Sequence, residues 1–381
     1  MEETILSRRT FFKTAGIGAA ATAASAGLSR ELLAWAEPQR APQPDGPILL
    51  NNNENAYGAF PSVLTMGNPL QDANRYPDNY SERLSEKLAA ASKVPLECVV
   101  TGCGSTEILR MAANAFTGPG KKLVLATPTF EAIGRYARTA RAGVVEVPLA
   151  ANFTHDLGAM LKAAATDAGL VYICNPNNPT GNLTPRSDIE DFIKKLPRNV
   201  YALIDEAYHD FVPASPDYAS FIDRPVDDDR VIVARTFSKI YGMAGLRLGY
   251  GIASKATAAL LQEHRLEDTL NSLVTRAALV ALDDAAGLRQ AQQRNAADRD
   301  EFMRQVVARK LKAISSTTNF VMVNSNRPVG SVIEHFKSNN ILIGRPFPPL
   351  DTYARISLGK PDEMKSFWRV WDQLPKAQQT A

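Results

Sequence analysis

The sequence predicts an α/β fold, in which a mainly parallel sheet lies between helices and is followed by a smaller α+β domain. Between about residues 98 and 235, short apolar runs alternate with helix-like segments, which is the order expected of βαβ units. The apolar runs are continuous, as in strands that helices cover on both faces. The chain has 381 residues, 45% of them hydrophobic, which suffices for two or three domains and a large core.

The predicted elements follow one another at regular spacing. The sequence predicts strands at residues 98–101, 123–126, 143–149, 170–174, 201–205 and 231–235. It predicts helices between them at residues 106–116, 131–140, 157–165 and 186–195. Helical periodicity then dominates residues 273–309, and shorter segments at 319–323, 331–337, 341–344 and 353–358 predict the smaller domain. Parallel sheets bind ligands at the carboxyl ends of their strands, so functional residues are expected in the loops that follow.

The N-terminal residues differ in composition from the rest of the chain. Residues 7–13 (SRRTFFK) and the weakly apolar Ala/Gly-rich stretch after them resemble a twin-arginine export signal, with small residues for cleavage at 34–36. The stretch is too short and too weakly apolar to predict a membrane-spanning helix. An ordinary amphipathic helix with two adjacent arginines is the alternative.

These features give a predicted domain order. We expect residues 1–36 to be the export signal and the Pro-rich residues 37–47 to be a linker. Residues 48–74 are predicted to form an N-terminal arm that is part of the small domain, 75–265 the large domain, and 266–381 the small C-terminal domain. The protein is then expected to be periplasmic or exported, meeting the membrane only during export, or cytoplasmic if the leader does not function.

Charge and cysteine content exclude several classes of protein. The formal net charge is +3, and no basic stripe with interleaved aromatic residues occurs, so nucleic acid is not expected as a partner. The three cysteines, Cys98, Cys103 and Cys174, form no CxxC pair and no disulfide framework. We expect all three to be small buried hydrophobic residues, and no metal site is predicted.

Two loops have the composition of a phosphate site. Gly104, Ser105 and Thr106 lie where strand 98–101 gives way to a helix, whose free N–H groups and dipole attract anions. Such a turn is common, so it is weak evidence when taken alone. A second wall follows the strand at 231–235, with hydroxyls and a guanidinium from Thr236, Ser238 and Arg247.

Three reactive side chains also follow predicted strands. Lys239 lies in an apolar segment, and burial lowers the pKa of a lysine, which favours a Schiff-base nucleophile. Asp205 ends strand 201–205, where a buried carboxylate needs a cationic partner such as a protonated pyridine nitrogen; a helix cap or an ordinary ion pair is the alternative. Tyr208 adds a phenol three residues later.

Two further loops contribute an aromatic ring and an amide. Phe130 follows strand 123–126, and an aromatic side chain at this place is a candidate to lie flat on a cofactor ring, although an isolated phenylalanine is more often a core residue. Asn178 belongs to the turn 175–181 (NPNNPTG), whose prolines and asparagines fix an unusual conformation, so that its amide can donate to a ring oxygen.

Together these residues match the parts of a pyridoxal-phosphate (PLP) site. The chain resembles the fold-type-I PLP-dependent aminotransferases of class I/II, and among them the branch similar to histidinol-phosphate aminotransferase. The resemblance runs from about residue 49 to 371. Its motifs are NPNNPTG (175–181), DEAY (205–208), RTFSKIYGMAGLRLG (235–249), NENAYG (53–58) and RYPD (75–78). Ala56 departs from the proline usual in that branch, and an export signal is not needed by a cytosolic enzyme of histidine synthesis.

The resemblance implies a seven-stranded sheet and assigns roles to the cofactor residues. It implies that Lys239 holds the cofactor as a Schiff base and then acts as the general base, and that Asp205 pairs with the pyridine N–H. Asn178 and Tyr208 would reach the 3′-oxygen, and Phe130 would stack on the ring. The phosphate would be held by Ser105, Thr106, Ser238 and Arg247.

The resemblance also implies a homodimer and a substrate site. Tyr57 is expected to reach the phosphate of the neighbouring subunit and to contact substrate there. Arg355 is expected to clamp the substrate α-carboxylate. Arg345 is a candidate for a second anionic group such as a phosphate, with a solvated surface arginine as the equally weighted alternative.

The implied activity is transfer of an amino group from an amino acid or amino phosphate to a 2-oxo acid. A PLP-dependent decarboxylase or lyase of the same fold is the alternative, because the bond that is cleaved depends on the orientation of the substrate at Cα. A non-enzymatic periplasmic binding protein is a poorer alternative, since it would have little reason to keep Lys239, Asp205 and Tyr208 together. These motifs do not fix the identity of the amino donor.

Overall fold

The computed structural model describes residues 46–68, 70–213 and 215–375. The predicted export signal and the linker up to residue 45 lie outside the described residues. The division of the remaining chain at residues 74 and 265 stays a prediction. Within the described part of the chain, no helix is long and apolar enough to span a bilayer.

The strands and helices alternate as the sequence predicts. The strands are β1 (Ile48–Leu50), β2 (Val99–Gly102), β3 (Lys122–Thr127), β4 (Val144–Pro148), β5 (Ala168–Cys174), β6 (Tyr201–Asp205), β7 (Val231–Thr236), β8 (Gly249–Ile252), β9 (Lys312–Ala313), β10 (Phe320–Asn324), β11 (Ile341–Ile343) and β12 (Tyr353–Ser357). The helices are α1 (Pro61–Leu64), α2 (Asp78–Ser92), α3 (Ser105–Phe116), α4 (Ala132–Thr139), α5 (Leu157–Ala164), α6 (Arg186–Lys195), α7 (Lys255–Gln262), α8 (Ser272–Asp283), α9 (Ala285–Ala308), α10 (Val329–Ser338) and α11 (Pro361–Asp372).

The central sheet has seven strands in the order β2-β8-β7-β6-β5-β3-β4. Strands β3 to β7 are parallel, as predicted, whereas β8 runs antiparallel to both β2 and β7. The sequence did not predict β8, because a strand of four residues with two glycines has little β-propensity of its own. The register pairs Cys174 with Asp205 and Asp205 with Ala234, so β5 and β6 end at the same level and β7 extends two residues further, to Thr236.

Both faces of this sheet are buried. In β3, Val124 and Ala126 belong to one apolar cluster, while Leu123 and Leu125 belong to a second cluster on the opposite face. This arrangement confirms the interpretation of the continuous apolar runs. Because the faces are filled by packing, the strand ends are left to carry the functional loops.

A third apolar cluster surrounds two small sheets. Strand β10 pairs antiparallel with β9 and β12, and β1 from the start of the described chain pairs parallel with β11. Aromatic rings fill this cluster, among them Phe302, Phe336 and Phe367. The chain therefore crosses from β1 to the central sheet and returns after α8.

Three details differ from the sequence predictions. The helical segment at 273–309 is two helices, because the Asp284 side chain accepts a hydrogen bond from Gly287 N and starts α9. Helices α1, α2, α7 and α11 and strands β1 and β9 had no predicted counterpart. Cys98 and Cys174 are buried, as predicted, but Cys103 is only partly buried because it lies in the turn before α3.

Candidate active site

The loops after β2, β3, β5, β6 and β7 open into one cavity of about 460 Å³. Most of the side chains predicted to bind cofactor or substrate line it. These are Ser105, Thr106, Phe130, Asn178, Asp205, Tyr208, Thr236, Ser238, Lys239, Arg247, Arg345 and Arg355. Gly104 precedes the lining residue Ser105, and Tyr57 lies elsewhere.

Lys239 follows β7 and enters the cavity with its amine held by backbone. Lys239 Nζ donates to the carbonyl oxygens of Asn52, at 3.3 Å, and Asn53, at 3.2 Å. Loss of solvation, and then the positive charge of Arg355, lower the pKa of Lys239 to about 8. A substantial fraction of the amine is therefore neutral near physiological pH, as a Schiff-base nucleophile requires.

Asp205 ends β6 and is only 2% exposed. Its Oδ2 accepts a hydrogen bond from Tyr172 Oη at 2.8 Å, and its Oδ1 accepts one from Ala207 N at 3.1 Å. Burial raises the pKa of Asp205 to about 6, although both hydrogen bonds and Lys239 act in the opposite direction. A cationic ligand group beside this carboxylate would restore its charge.

Asn53 links Tyr208 to strand β12 through hydrogen bonds. Asn53 Nδ2 donates to Tyr208 Oη at 3.0 Å. Asn53 also binds Ser357 of β12, accepting from its Oγ at 3.1 Å and donating to the same Oγ through its backbone N at 2.8 Å. Burial raises the pKa of Tyr208, so its phenol stays protonated as a donor.

The phosphate cup has the shape that the sequence predicted. Gly104 has φ 76°, and a Cβ there would meet Arg247 Nη2 at 2.2 Å. Arg247 donates to Ser238 Oγ at 3.2 Å and to Thr106 Oγ1 at 3.4 Å. Gly249 packs just as closely, because a Cβ there would lie 2.1 Å from Ser105 N. Hydroxyls, a guanidinium and the amino end of α3 therefore meet at one point.

The loops that carry Phe130 and Asn178 are tied together. Asn177 accepts a hydrogen bond from Thr129 Oγ1 at 2.7 Å and donates to Pro128 O at 3.1 Å. Phe130 is partly buried and packs against the apolar cluster on its side of the sheet. The position of the aromatic ring and that of the amide are thus fixed by one buried asparagine.

Arg355 of β12 lies across the cavity from the cofactor loops. It is 7% exposed and donates to Asn178 Oδ1 at 2.7 Å and to Asn51 O at 2.6 Å. Because Arg355 occupies the acceptor oxygen of Asn178, the amide nitrogen of Asn178 remains to donate. Burial lowers the pKa of Arg355 to about 10, so it stays charged at neutral pH.

The remaining two predicted site residues behave differently. Arg345 is half-exposed at the outer end of the cavity, where Nη2 donates to Glu131 Oε2 at 2.7 Å. Tyr57 is directed away from the cavity within its own chain. Its hydroxyl donates to Asp298 Oδ2 at 3.0 Å, and burial raises its pKa to about 12. Its expected role towards a neighbouring subunit stays a prediction.

Sequence reasoning missed several residues that shape the site. Tyr172 and Asn53 hydrogen-bond to Asp205 and Tyr208, and Glu131 pairs with Arg345. Tyr172 carried a local signal, because it is a polar-tipped residue in an otherwise apolar strand, two positions before a functional strand end. Asn53 carried another, because it begins the NENAYG motif. The other contacts join segments far apart in sequence.

The donor set of the cavity fits PLP. A phosphate matches the cup of hydroxyls and Arg247, a pyridine nitrogen matches the buried Asp205, and an aldehyde matches the amine of Lys239. The Cβ-free surface at Gly104 leaves room for the cup to close on Arg247. A sheet of this topology with this residue set defines the class of fold-type-I PLP-dependent enzymes.

Comparison with known proteins gives the family. Residues 45–370 match the sequence profile of "Aminotransferase class I and II", so the chain belongs to this family and is a PLP-dependent aminotransferase. It is 35% identical to the histidinol-phosphate aminotransferase of Geobacillus thermodenitrificans over 83% of this chain and 87% of that protein. It is 36% identical to histidinol-phosphate aminotransferase 2 of Ralstonia nicotianae over 83% of this chain and 85% of that protein.

A solved structure shows the same similarity in three dimensions. The histidinol-phosphate aminotransferase of Sinorhizobium meliloti, in complex with pyridoxal-5'-phosphate, is 27% identical and superimposes with a TM-score of 0.79. The match covers 86% of this chain and 90% of that chain.

Proposed function

We propose that the enzyme transfers an amino group from an amino acid or an amino phosphate of the histidinol-phosphate type to a 2-oxo acid. The observation that carries the proposal is that one cavity holds Lys239 together with two arginines that have different surroundings. Arg355 is buried and fixed, as a clamp for a carboxylate requires, and Arg345 is half-exposed at the outer end. The relatives named histidinol-phosphate aminotransferase support the amino-phosphate donor.

Each side chain then has a task set by its position. Lys239, with a pKa of about 8, would hold the cofactor through its amine and, when its amine is free, would carry the proton of the substrate Cα. The bound cofactor supplies an electron-withdrawing ring at that carbon. Asp205 would keep a proton on the ring nitrogen, and Asn178 and Tyr208 would donate to the ring oxygen.

The cofactor assignment is tested by chemical trapping. Borohydride reduction of the PLP-loaded protein is expected to fix the cofactor on the peptide that contains Lys239, as peptide mass spectrometry would detect. Labelling of a different lysine, or none in loaded protein, would refute the assignment.

The donor is tested with a panel of amino acids and amino phosphates, scored by conversion of the cofactor to its aminated form. If histidinol phosphate is the best donor and Arg345→Ala abolishes its use, the amino-phosphate proposal stands. If ordinary amino acids are better and Arg345→Ala has no effect, it fails. Release of CO2 without amination would favour the decarboxylase alternative, which no relative reported above supports.

We also propose a homodimer with shared active sites. Three apolar side chains of the segment after β1 are exposed, namely Leu64 at 67%, Leu70 at 66% and Tyr76 at 75%, and a partner subunit would cover them. Mixing Tyr57→Phe with Lys239→Ala protein should restore part of the activity if Tyr57 completes the neighbouring site. The same mixture made with Tyr76→Phe instead of Tyr57→Phe tells which of the two tyrosines reaches the active site of the neighbouring subunit. A fully active monomer in sedimentation would refute the dimer.

Finally, we propose export in the folded state. The support is the SRRTFFK segment at residues 7–13, which precedes a weakly apolar stretch. Replacing Arg8 and Arg9 by lysine should keep the protein in the cytoplasm, as fractionation would measure. A wild-type protein that is cytoplasmic and retains residues 1–36 would contradict this proposal.

A further inference from the structure

The outer end of the active-site cavity holds one carboxylate shared between two arginines. Glu131 Oε2 accepts from Arg345 Nη2 at 2.7 Å, and Glu131 Oε1 accepts from Arg135 Nη1 at 2.9 Å. All three side chains line the cavity that also contains Lys239 and Arg355. Two guanidinium groups facing a single carboxylate leave this end of the cavity with one positive charge in excess.

Arg345 does not depend on Glu131 for its position. Its guanidinium lies over the ring of Phe347, 4.2 Å from the centroid, and its Nη1 donates to Pro346 O at 2.9 Å. Phe347 is itself held beneath Arg355, 4.6 Å from that guanidinium, and is 5% exposed. Loss of the Glu131 charge should therefore leave Arg345 in place with a free guanidinium edge.

The ion pairs of Glu131 are also easy to exchange. The side chains of Glu131, Arg345 and Arg135 are 53%, 50% and 62% exposed. Ion pairs in such surroundings contribute little to stability, because water screens the charges and competes for the donors. A donor that is already anchored elsewhere in the same cavity presents its far oxyanion here at a high local concentration, so this oxyanion can take the place of Glu131.

We propose that Glu131 sets the charge selectivity of the site for the far end of the amino donor. Glu131 occupies Arg345 when no substrate is bound and releases it to a donor whose far end is an oxyanion, a phosphate or a carboxylate. A donor with a neutral far end leaves the Glu131–Arg345 pair intact. The inference rests on the proposed function, since it names the class of donor that the same cavity takes.

The test compares matched donors in Glu131→Gln, which keeps the side-chain shape and removes its charge. The pairs are histidinol phosphate with histidinol, and glutamate with glutamine. The kcat/KM preference for histidinol phosphate over histidinol should rise by roughly tenfold, mainly through KM, because the competing anion is gone. The preference for glutamate over glutamine should rise less if the natural far end is a phosphate, and more if it is a carboxylate.

Glu146→Gln is the matched control. Glu146 pairs with Arg138 at 2.6 Å in equally exposed surroundings, and both line a neighbouring groove but not the cofactor cavity. It removes the same charge close by and should leave both preferences within about twofold of wild type, since exposed charges at a distance are screened. An unchanged or lowered preference for oxyanions in Glu131→Gln would overturn the inference.

A binding measurement separates failure of the inference from failure of the proposed function. Inorganic phosphate titrated into PLP-loaded protein by calorimetry should bind more tightly to Glu131→Gln than to wild type. The gain should disappear in the double variant with Arg345→Gln. If no donor of the panel aminates the cofactor, the proposed function fails while this titration still decides the inference. If phosphate binds both proteins equally, the inference fails while the proposed function stands.

Discussion

The inner and outer ends of the active-site cavity are built in opposite ways. At the inner end, Asp205, Tyr208 and Arg355 are 2%, 3% and 7% exposed, and each makes a buried hydrogen bond to another side chain. At the outer end, the Arg345 and Glu131 side chains are half-exposed and held by an ion pair. Buried polar groups are costly to disturb, whereas exposed ion pairs are cheap to exchange.

The difference teaches which part of the reaction each end controls. The inner end is fixed before any ligand arrives, so it can stabilise charge that develops at the reacting carbon without reorganising. The outer end contains exposed ion pairs that a substrate can replace at little cost. Substitutions at the inner end should therefore affect every substrate, and those at the outer end should affect the choice among substrates.

The largest effect is expected from Asp205→Asn. The amide cannot carry the negative charge that holds a proton on the ring nitrogen, so kcat/KM should fall by about 10³-fold for all donors. Steady-state kinetics with two chemically different donors would measure this. A loss confined to one donor would contradict the division between the two ends.

The same variant should alter the stability of the apoprotein. Burial raises the pKa of Asp205 from 3.8 to about 6, so between these values the folded protein binds the proton more tightly than the unfolded chain. Raising the pH through this window therefore lowers the free energy of unfolding, by ~3 kcal/mol at most. Urea unfolding of apo Asp205→Asn between pH 4 and 7 should show a flatter pH dependence; an unchanged slope would mean that other groups dominate.

Arg355→Lys should have the next largest effect. A lysine cannot bind a carboxylate in a bidentate manner, so both the donor and the 2-oxo acid should lose roughly 2–4 kcal/mol of transition-state stabilisation. PLP affinity should be nearly unchanged, because Arg355 is not in the phosphate cup. Arg345→Lys is the matching variant at the outer end, where the loss should depend on the charge of the donor. Equal losses for anionic and neutral donors in both variants would contradict the predicted difference between the two ends.

A smaller effect is expected in the pH dependence of cofactor uptake, which reports the pKa of Lys239. Only the neutral amine attacks the aldehyde, and the pKa of Lys239 is lowered to about 8. The rate of PLP incorporation into apoprotein should rise by about tenfold from pH 7 to 9 and then level off. Stopped-flow absorbance would record it, and a rate that still climbs steeply above pH 9 would indicate an unshifted lysine.

The smallest effect is expected at Asn53. Asn53→Gly keeps the backbone conformation, which has φ 56°, and removes the hydrogen bond to Tyr208. Activity should fall by about fivefold, the value of one hydrogen bond to a neutral phenol. The pKa read from the pH dependence of cofactor absorbance in the PLP-loaded enzyme should shift as well, because the Tyr208 phenol would face the ring oxygen. A loss of stability without a spectral shift would indicate a structural role alone.

The sequence by itself determined the local parts of this protein. The apolar runs fixed strands β2 to β7 within two residues of their observed bounds, because a strand buried on both faces needs continuous apolar residues. The same runs located the loops with Asp205, Asn178 and Lys239, since chemistry at a strand end is encoded beside the strand. The resemblance to known motifs added the expected cofactor.

Only the tertiary structure decided which distant segments meet. Arg355 and Asn178 are 177 residues apart, and Arg345 and Glu131 are 214 residues apart, yet each pair is joined by a hydrogen bond. The pairing of β1 with β11 brings Asn53 to Tyr208, and the antiparallel β8 carries a glycine against the start of α3. No local pattern encodes these contacts, because they arise from the packing of whole sheets, in which each strand's register is fixed by its neighbours.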